Sequence, residues 1–176
     1  MEELTAALEG LQYAMYNERL GHRFYIKAME MTTDEKGKRM YASIASDEER
    51  HLRILQEEFD SLKKTGDWVS LEKAGVEKPP SSPPPLFPEE EAEVEELIKR
   101  SASDLDALDI ALDLERRGYE LYQQEAQKAS NLTARAIYEY LAKEENKHFT
   151  LLQNTRSYLA ASGVWLWDDM HPPMLD

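Results

Sequence analysis

Apolar residues recur along the chain at steps that alternate between three and four, the spacing of helices that face a core. Asp34, Ser103 and Asn131 are suitable N-caps for three such helices, and Gly66 is suitable for the end of the second. The pattern predicts an all-α fold, a four-helix bundle in a single domain of residues 1–176. The predicted long helices cover residues 3–31, 34–65, 103–128 and 131–161.

The stretch between the second and third long helices, residues 66–102, departs from this pattern. Prolines between Lys78 and Pro85 are too frequent for a helix, so we expect an extended crossover that is polyproline-like in part. The acidic run from Glu89 predicts a short helix to about Arg100, with its negative charge at the N-terminus. A flexible linker between two domains is the alternative, but neither half has enough helices to close a core alone.

Six polar residues stand in the apolar stripes where packing alone would select an apolar side chain. Each long helix contributes a glutamate, and the second and fourth add a histidine three positions later, on the same face. The six residues are Glu18, Glu48, His51, Glu115, Glu145 and His148. Burying an unpaired carboxylate is costly, whereas two divalent cations would balance four of them. Di-iron and di-manganese bundles use this ligand set, so the sequence predicts a two-metal site.

The two halves of the chain align without a gap at a constant offset of 97 residues. Residues 11–55 and 108–152 share eleven identical positions, among them all three pairs of predicted ligands. A duplicated helical hairpin places equivalent residues around a pseudo-two-fold axis. Such an axis through the bundle core suits a pair of metal ions.

Other polar residues near the six allow two interpretations each. Asp47 and Glu144 precede predicted ligands, and one of them could accept a hydrogen bond from a ligand histidine of the opposite hairpin; a solvated position is the alternative. Tyr25 and Tyr122 lie on the stripes and either pack in the core or supply a proton or an electron. Glutamates off the stripes are expected to be surface charge, namely Glu49, Glu57, Glu58 and Glu139.

Composition restricts the chemistry further. The chain has no cysteine, which excludes disulfides, thiolate zinc sites and iron–sulfur clusters and leaves carboxylate and imidazole ligands for iron, manganese or zinc. A formal net charge of −14 argues against nucleic acid and anionic membranes as partners. No apolar run approaches the roughly 18 residues of a membrane span. The N-terminus does not look like a signal peptide, so we expect a cytoplasmic protein.

The motifs resemble the ferritin-like di-iron carboxylate superfamily. They are Asn17-Glu18-x6-Tyr25, Asp47-Glu48-Glu49-Arg50-His51, Glu115-x6-Tyr122 and Glu144-Glu145-Asn146-Lys147-His148. The resemblance covers about residues 3–160, and the long crossover between helices two and three is most similar to the rubrerythrin branch. It implies a ferritin-like bundle with two iron ions, or manganese, that reacts with hydrogen peroxide or dioxygen and needs an external electron donor.

Two features differ from that branch. Without cysteines, the chain lacks a rubredoxin-type iron domain, and Gly118 stands where many rubrerythrins carry an extra carboxylate. The predicted function is an oxidoreductase that reduces peroxide or dioxygen. A ferroxidase that handles iron, a manganese catalase and an interaction module without redox activity are the alternatives. The tyrosine-rich faces and the tail from Trp165 to Asp176, expected to lie across the bundle or a partner subunit, favour a homodimer.

Overall fold

A computed structural model of the chain describes residues 2–71, 73 and 88–167. Within these ranges it contains α-helices and no β-strand. The helices are α1 (Glu2–Met31), α2 (Glu35–Thr65), α3 (Pro88–Arg100), α4 (Asp104–Lys128) and α5 (Leu132–Ser162). The four long helices start and end within one residue of the predicted limits, and α3 is the short acidic helix expected before Arg100. The proline-rich stretch of the crossover, residues 78–85, lies outside the described residues.

The long helices form two antiparallel hairpins, α1 with α2 and α4 with α5, because each pair is joined by only three residues. The hairpins pack on each other through α1 and α4, which completes an all-helical bundle, and α3 lies against α1 and α4 on the outside. None of the described helices combines the length and the apolar character that crossing a bilayer requires.

Equivalent residues begin and end the second helix of each hairpin, α2 and α5. Asp34 and Asn131 each accept hydrogen bonds from two backbone amides of the first turn that follows. Gly66 and Gly163 end α2 and α5 with φ of 80° and 70°, a left-handed conformation that favours glycine. Members of each pair are 97 residues apart, so the repeat includes the helix ends. The predicted caps Asp34 and Asn131 and the predicted stop at Gly66 are confirmed.

The crossover helix α3 is attached to α1 by an apolar contact and an ion pair. Val94 and Leu97 are buried in the core of the bundle. Glu90, whose side chain is 2% exposed, accepts hydrogen bonds from Arg19 Nε at 3.0 and 3.1 Å. Because a buried charge is costly without its partner, this pair contributes, with the apolar contact, to how α3 lies on the bundle.

The C-terminal segment folds back across the bundle, as expected of the tail. Trp165 is 3% exposed and packs over Gly37, where a Cβ atom would come within 2.9 Å of the indole ring. The hydroxyl of Thr155 donates a hydrogen bond to the carbonyl of Leu166 at 3.3 Å. The rest of the tail, residues 168–176, lies outside the described residues.

The prediction that Glu58 is surface charge is wrong. Its side chain is fully buried, and Oε2 accepts a hydrogen bond from the amide of Val69 at 2.9 Å. Glu58 and Val69 are the counterparts of Thr155 and Leu166, so each hairpin ties the segment after its second helix back to that helix. Burial raises the pKa of Glu58 to about 7, although the bond from Val69 lowers it. The partner comes from a loop, which helical periodicity does not reveal.

Candidate metal centre

The six polar residues of the stripes meet in the middle of the bundle, between two apolar clusters that fill its ends. Each of the six residues is at most 6% exposed. Their ligand atoms form two overlapping groups of four, and the atoms of each group all lie within 4.8 Å of one another. The first group is Glu18, Glu48, His51 and Glu145, and the second is Glu48, Glu115, Glu145 and His148.

Each histidine faces the carboxylates of its own group with Nδ1. His51 Nδ1 lies 3.3 Å from Glu18 Oε2 and 3.3 Å from Glu145 Oε1. His148 Nδ1 lies 3.3 Å from Glu115 Oε2 and from Glu48 Oε1. Glu48 and Glu145 belong to both groups, and we call them the shared glutamates. Two positions with one glutamate and one histidine each, joined by two shared carboxylates, match the layout of a two-metal carboxylate site.

The atoms that face one another have no hydrogen-bond partner among the described residues. They are Glu18 Oε2, Glu48 Oε1, His51 Nδ1, Glu115 Oε2, Glu145 Oε1 and His148 Nδ1. Buried polar atoms are nearly always paired in folded proteins, and each unpaired one needs an explanation. Two divalent cations would satisfy all six atoms and neutralise the four carboxylates. The residues therefore fit a pair of metal ions.

In the absence of metal, the surroundings favour the protonated forms of the two shared glutamates and of His148. Burial raises the pKa of Glu48 and Glu145 well above the ordinary value of a glutamate, and the charges of the neighbouring carboxylates raise it further. For His148, burial lowers the pKa, but the charge of Glu115 and the hydrogen bond to Asp47 raise it well above its ordinary value. Because metal ligands must be deprotonated, binding of metal would release protons from this cluster.

The two histidines differ in the partners of their outer nitrogens. His148 Nε2 lies 3.2 Å from Asp47 Oδ2. Burial would raise the pKa of Asp47, but this hydrogen bond holds it below the ordinary range. Glu144, the counterpart of Asp47, is buried and accepts hydrogen bonds from Arg50 and Lys147 instead. The predicted bond to a histidine is thus present for Asp47 and absent for Glu144.

The outer nitrogen of the other histidine, His51 Nε2, has no partner in the described part of the chain. The ring of Tyr140 meets this imidazole edge-on, with centroids 6.4 Å apart, and its hydroxyl accepts a hydrogen bond from Arg50 at 2.9 Å. Arg50 also bonds Asp47 at 2.7 Å. The guanidinium of Arg50 thus bonds both acidic residues that lie next to the histidines, Asp47 and Glu144.

Tyr25 and Tyr122 are fully buried and orient the two glutamates that are not shared. The Tyr25 hydroxyl donates a hydrogen bond to Glu115 Oε1, and the Tyr122 hydroxyl donates one to Glu18 Oε1. Each bond crosses from one hairpin to the other and leaves Oε2 of the glutamate facing a histidine. Burial raises the pKa of both hydroxyls well above the ordinary value, so both tyrosines keep their protons at neutral pH.

Gly21 and Gly118 make room for the shared glutamates. A Cβ atom at Gly21 would lie 2.6 Å from Glu48 Oε2, and one at Gly118 would lie 2.6 Å from Glu145 Oε2. Both glycines line a small cavity of about 20 Å³ between α1 and α4, which is roughly enough for one water-sized molecule. In the sequence, Gly118 is both a departure from a family pattern and one of the eleven identities of the repeat, with Gly21 as its counterpart. Its identity with Gly21 across the repeat was the signal of a shared role.

Comparison with protein families links these features to known proteins. The family model described as Rubrerythrin matches residues 9–155, a range that includes all six residues of the centre. No curated protein matches the chain.

Several solved structures share the fold at low identity. A hypothetical protein from Pyrococcus furiosus is 18% identical, with a TM-score of 0.63 over 88% of this chain and 90% of that one. A hypothetical protein from Methanococcus jannaschii is 19% identical, with a TM-score of 0.64 over 96% of this chain and 86% of that one. A protein of Anabaena variabilis with DJ-1/ThiJ/PfpI-like and ferritin-like domains is 18% identical, with a TM-score of 0.65 over 97% of this chain and 43% of that one. The bundle is thus a ferritin-like fold.

Proposed function

Since the chain belongs to the rubrerythrin family, we propose that it is a di-iron oxidoreductase that reduces hydrogen peroxide or dioxygen. The observation that carries the proposal is the set of six buried ligand atoms without partners, arranged as two groups that share two carboxylates. Carboxylates with imidazoles suit iron and manganese, and the chain has no thiolate to offer a softer metal.

In this proposal, Glu18 and His51 would hold one iron ion, and Glu115 and His148 would hold the other. The shared glutamates, Glu48 and Glu145, would contribute a carboxylate to both. When bound in the ferrous state, the ions supply two electrons and act as Lewis acids towards an oxygen–oxygen bond.

The surrounding residues position the ligands and restrict access. The bond from His148 Nε2 to Asp47 fixes the tautomer that leaves Nδ1 free to bind a cation. Tyr25 and Tyr122 hold one oxygen of each glutamate that is not shared, so the other oxygen is aimed at the centre. The cavity beside Gly21 and Gly118 admits only a molecule about the size of water, which favours a small oxidant over an organic substrate.

Further parts of the proposal concern partners. An electron donor outside this chain returns the centre to its reduced state. The acidic surface, with a net charge of −14, favours neither nucleic acid nor an anionic membrane. We also propose a homodimer and a cytoplasmic location, which sedimentation of the purified protein and localisation of a tagged chain would test.

Elemental analysis with an optical spectrum of the purified protein tests the site. We expect two iron ions per chain and the absorption of an oxo-bridged ferric pair. Glu48→Ala removes a shared carboxylate and should lower the iron content and the rate of peroxide consumption together. Glu139→Ala changes an exposed glutamate of α5 and should leave both unchanged. Protein without stoichiometric iron or manganese would contradict the proposal.

Two alternatives are distinguished by the same preparation. A manganese catalase would contain manganese and release oxygen from peroxide without any donor. A ferroxidase that stores iron would take up many ions per chain and form a large hollow assembly, which light scattering would detect.

A further inference from the structure

Two series of aromatic side chains, which we call the aromatic chains, lead from the metal centre towards opposite ends of the bundle. The first is Tyr25, Tyr41 and Trp165. The rings of Tyr25 and Tyr41 stack with centroids 6.1 Å apart, and Tyr41 meets Trp165 edge-on at 5.7 Å. Tyr25 also donates its hydroxyl hydrogen bond to Glu115. The first aromatic chain therefore runs without interruption from Glu115, a candidate ligand, to the C-terminal tail that covers one end of the bundle.

The second aromatic chain is Tyr122, Tyr138 and Trp68. Tyr122 and Tyr138 stack at 6.2 Å, Tyr138 meets Trp68 edge-on at 6.0 Å, and Tyr122 donates its hydroxyl hydrogen bond to Glu18. Each member of this chain lies 97 residues from its counterpart in the first. The correspondence includes Trp68 and Trp165, which lie beyond the helices.

We propose that the aromatic chains carry oxidising equivalents between the metal centre and the ends of the bundle. This inference rests on the proposed reduction of peroxide. Reduction of one peroxide to two waters breaks the oxygen–oxygen bond and takes up two electrons and two protons. If the metal centre gave only one of these electrons, Tyr25 or Tyr122 would supply the other.

The hydrogen bonds give the protons a destination. Oxidation of Tyr25 to its neutral radical releases an electron to the centre and a proton to Glu115 Oε1, which already accepts the hydroxyl bond. That proton and one from solvent complete the two waters. An electron from Trp165 then restores Tyr25, which takes up one proton from solvent. Trp165 Nε1 donates to Asp104 Oδ2 at 3.3 Å, so its proton has an acceptor when the indole is oxidised.

Tyr41, the middle residue of the first aromatic chain, acts differently from Tyr25 and Trp165 at its two ends. The hydroxyl of Tyr41 is buried and has no hydrogen-bond partner among the described residues. Because a tyrosine radical forms readily only when its proton can leave, Tyr41 transmits the electron through its ring without losing a proton. In the second chain, Trp68 and Tyr138 line a cavity of about 540 Å³ at the end of the bundle, where an external one-electron donor can reach them.

Mapping of oxidation products tests the chains. The iron-loaded protein is treated with hydrogen peroxide without a donor, and oxygen incorporation at each tryptophan is measured by peptide mass spectrometry. We expect oxidation at Trp68 and Trp165, the terminal residues of the two aromatic chains, above that at Trp167, which is partly buried. Tyr25→Phe should lower the product at Trp165 to the level of Trp167 and spare Trp68, and Tyr122→Phe should do the reverse.

The ratio of products at Trp68 and Trp165 within one sample does not depend on how much iron is bound. Tyr13→Phe changes an exposed tyrosine outside both chains and should leave the ratio unchanged. If all three tryptophans are oxidised alike, or if neither tyrosine variant alters the ratio, the aromatic chains do not carry oxidising equivalents.

Pulse radiolysis of the metal-free protein separates this inference from the proposed function. One-electron oxidation by the azide radical should give tryptophanyl and tyrosyl radicals that exchange the unpaired electron intramolecularly, at a rate independent of protein concentration. The double variant Tyr25→Phe/Tyr122→Phe should lose this step. Its absence from the wild type would overturn the inference. If the step occurs but iron-loaded protein consumes no peroxide, only the proposed function fails.

Discussion

Two glycines illustrate how a single residue controls the centre. Gly21→Ala or Gly118→Ala should weaken metal binding by about 10- to 100-fold, the range seen when residues that support metal ligands are changed. The added Cβ would lie 2.6 Å from an oxygen of Glu48 or Glu145, which would have to move. Stability of the metal-free protein should stay the same or rise by up to about 1 kcal/mol, because alanine favours helix. Calorimetric titration with Mn²⁺ measures the first effect and urea unfolding the second.

Gly10→Ala is the matched control, since Gly10 also lies in α1 and its Cβ would lie 3.1 Å from Glu125 Oε2, away from the centre. It should retain the metal affinity of the wild type. Equal loss of affinity in Gly10→Ala and Gly21→Ala would show that the effect comes from α1 as a whole.

The buried carboxyl of Glu58 makes stability depend on pH. Its pKa is about 7 in the folded protein, against an ordinary value of 4.5, so the folded protein keeps a proton that the unfolded chain releases between these values. Stability should therefore fall as the pH rises from about 5 to about 8, by on the order of 2 kcal/mol from this group. Glu58→Gln, which still accepts the bond from Val69, should lack this part of the loss.

Urea unfolding of metal-free wild type and Glu58→Gln at about pH 5 and about pH 8 measures the difference in stability. The metal centre also titrates, but it contributes equally to both proteins. Glu58→Thr installs the residue of the equivalent position in the second hairpin. Parallel pH profiles for wild type and Glu58→Gln would disprove the assignment.

Residues that the sequence predicts and those that it misses differ in a physical way. The glutamates and histidines of the centre interrupt an apolar stripe of their own helix, so local periodicity is enough to find them. The partners of Asp47 and Glu144 depend on where Arg50, Lys147 and the opposite hairpin lie. Such differences between equivalent residues are tertiary and are not encoded in the spacing of one helix.

At the scale of elements, a buried ion pair contributes to the docking of α3, beside the apolar contacts of Val94 and Leu97. Glu90→Ala would leave Arg19 without the carboxylate that it bonds at 3.0 and 3.1 Å. Loss of one partner of a buried pair should destabilise the protein by about 3 kcal/mol. It should also expose α3 to limited proteolysis. Glu95→Ala changes an exposed glutamate of the same helix and should alter stability by less than about 0.5 kcal/mol; a similar loss in both variants would contradict this role.

The helix limits were predictable because caps are local. Asp34, Asn131 and Gly66 act on amides or carbonyls within a few residues of themselves. The position of α3 was not predictable, since it follows from the pairing of Arg19 with a residue 71 positions away. The tail is intermediate: its aromatic residues indicated a packed segment, but Gly37 as the place of packing appears only in the fold.

For the whole molecule, metal should determine stability. Four buried carboxylates repel one another, and two cations remove that cost, so free metal at about 100 times its Kd should stabilise the fold by roughly 2.7 kcal/mol per site. Calorimetry with increasing Mn²⁺ should show a rising Tm, and a chelator should reverse it. In Glu48→Gln/Glu145→Gln, the metal-free Tm should exceed that of metal-free wild type while the response to Mn²⁺ is lost. A Tm that is the same with and without metal in the wild type would exclude a metal-binding core.

The crossed hydrogen bonds of Tyr25 and Tyr122 bear on the ancestry of the chain. A tyrosine of each hairpin bonds a candidate metal ligand of the other hairpin, so neither half could have formed the centre alone. Two identical copies of one hairpin, in contrast, could have formed all of it. The ancestor would then have been a symmetric homodimer, and joining two gene copies through the crossover would have made one polypeptide. After that event the two copies could change independently. Asp47 bonds His148, whereas its counterpart Glu144 bonds Arg50 and Lys147, and this difference shows how far the copies have diverged.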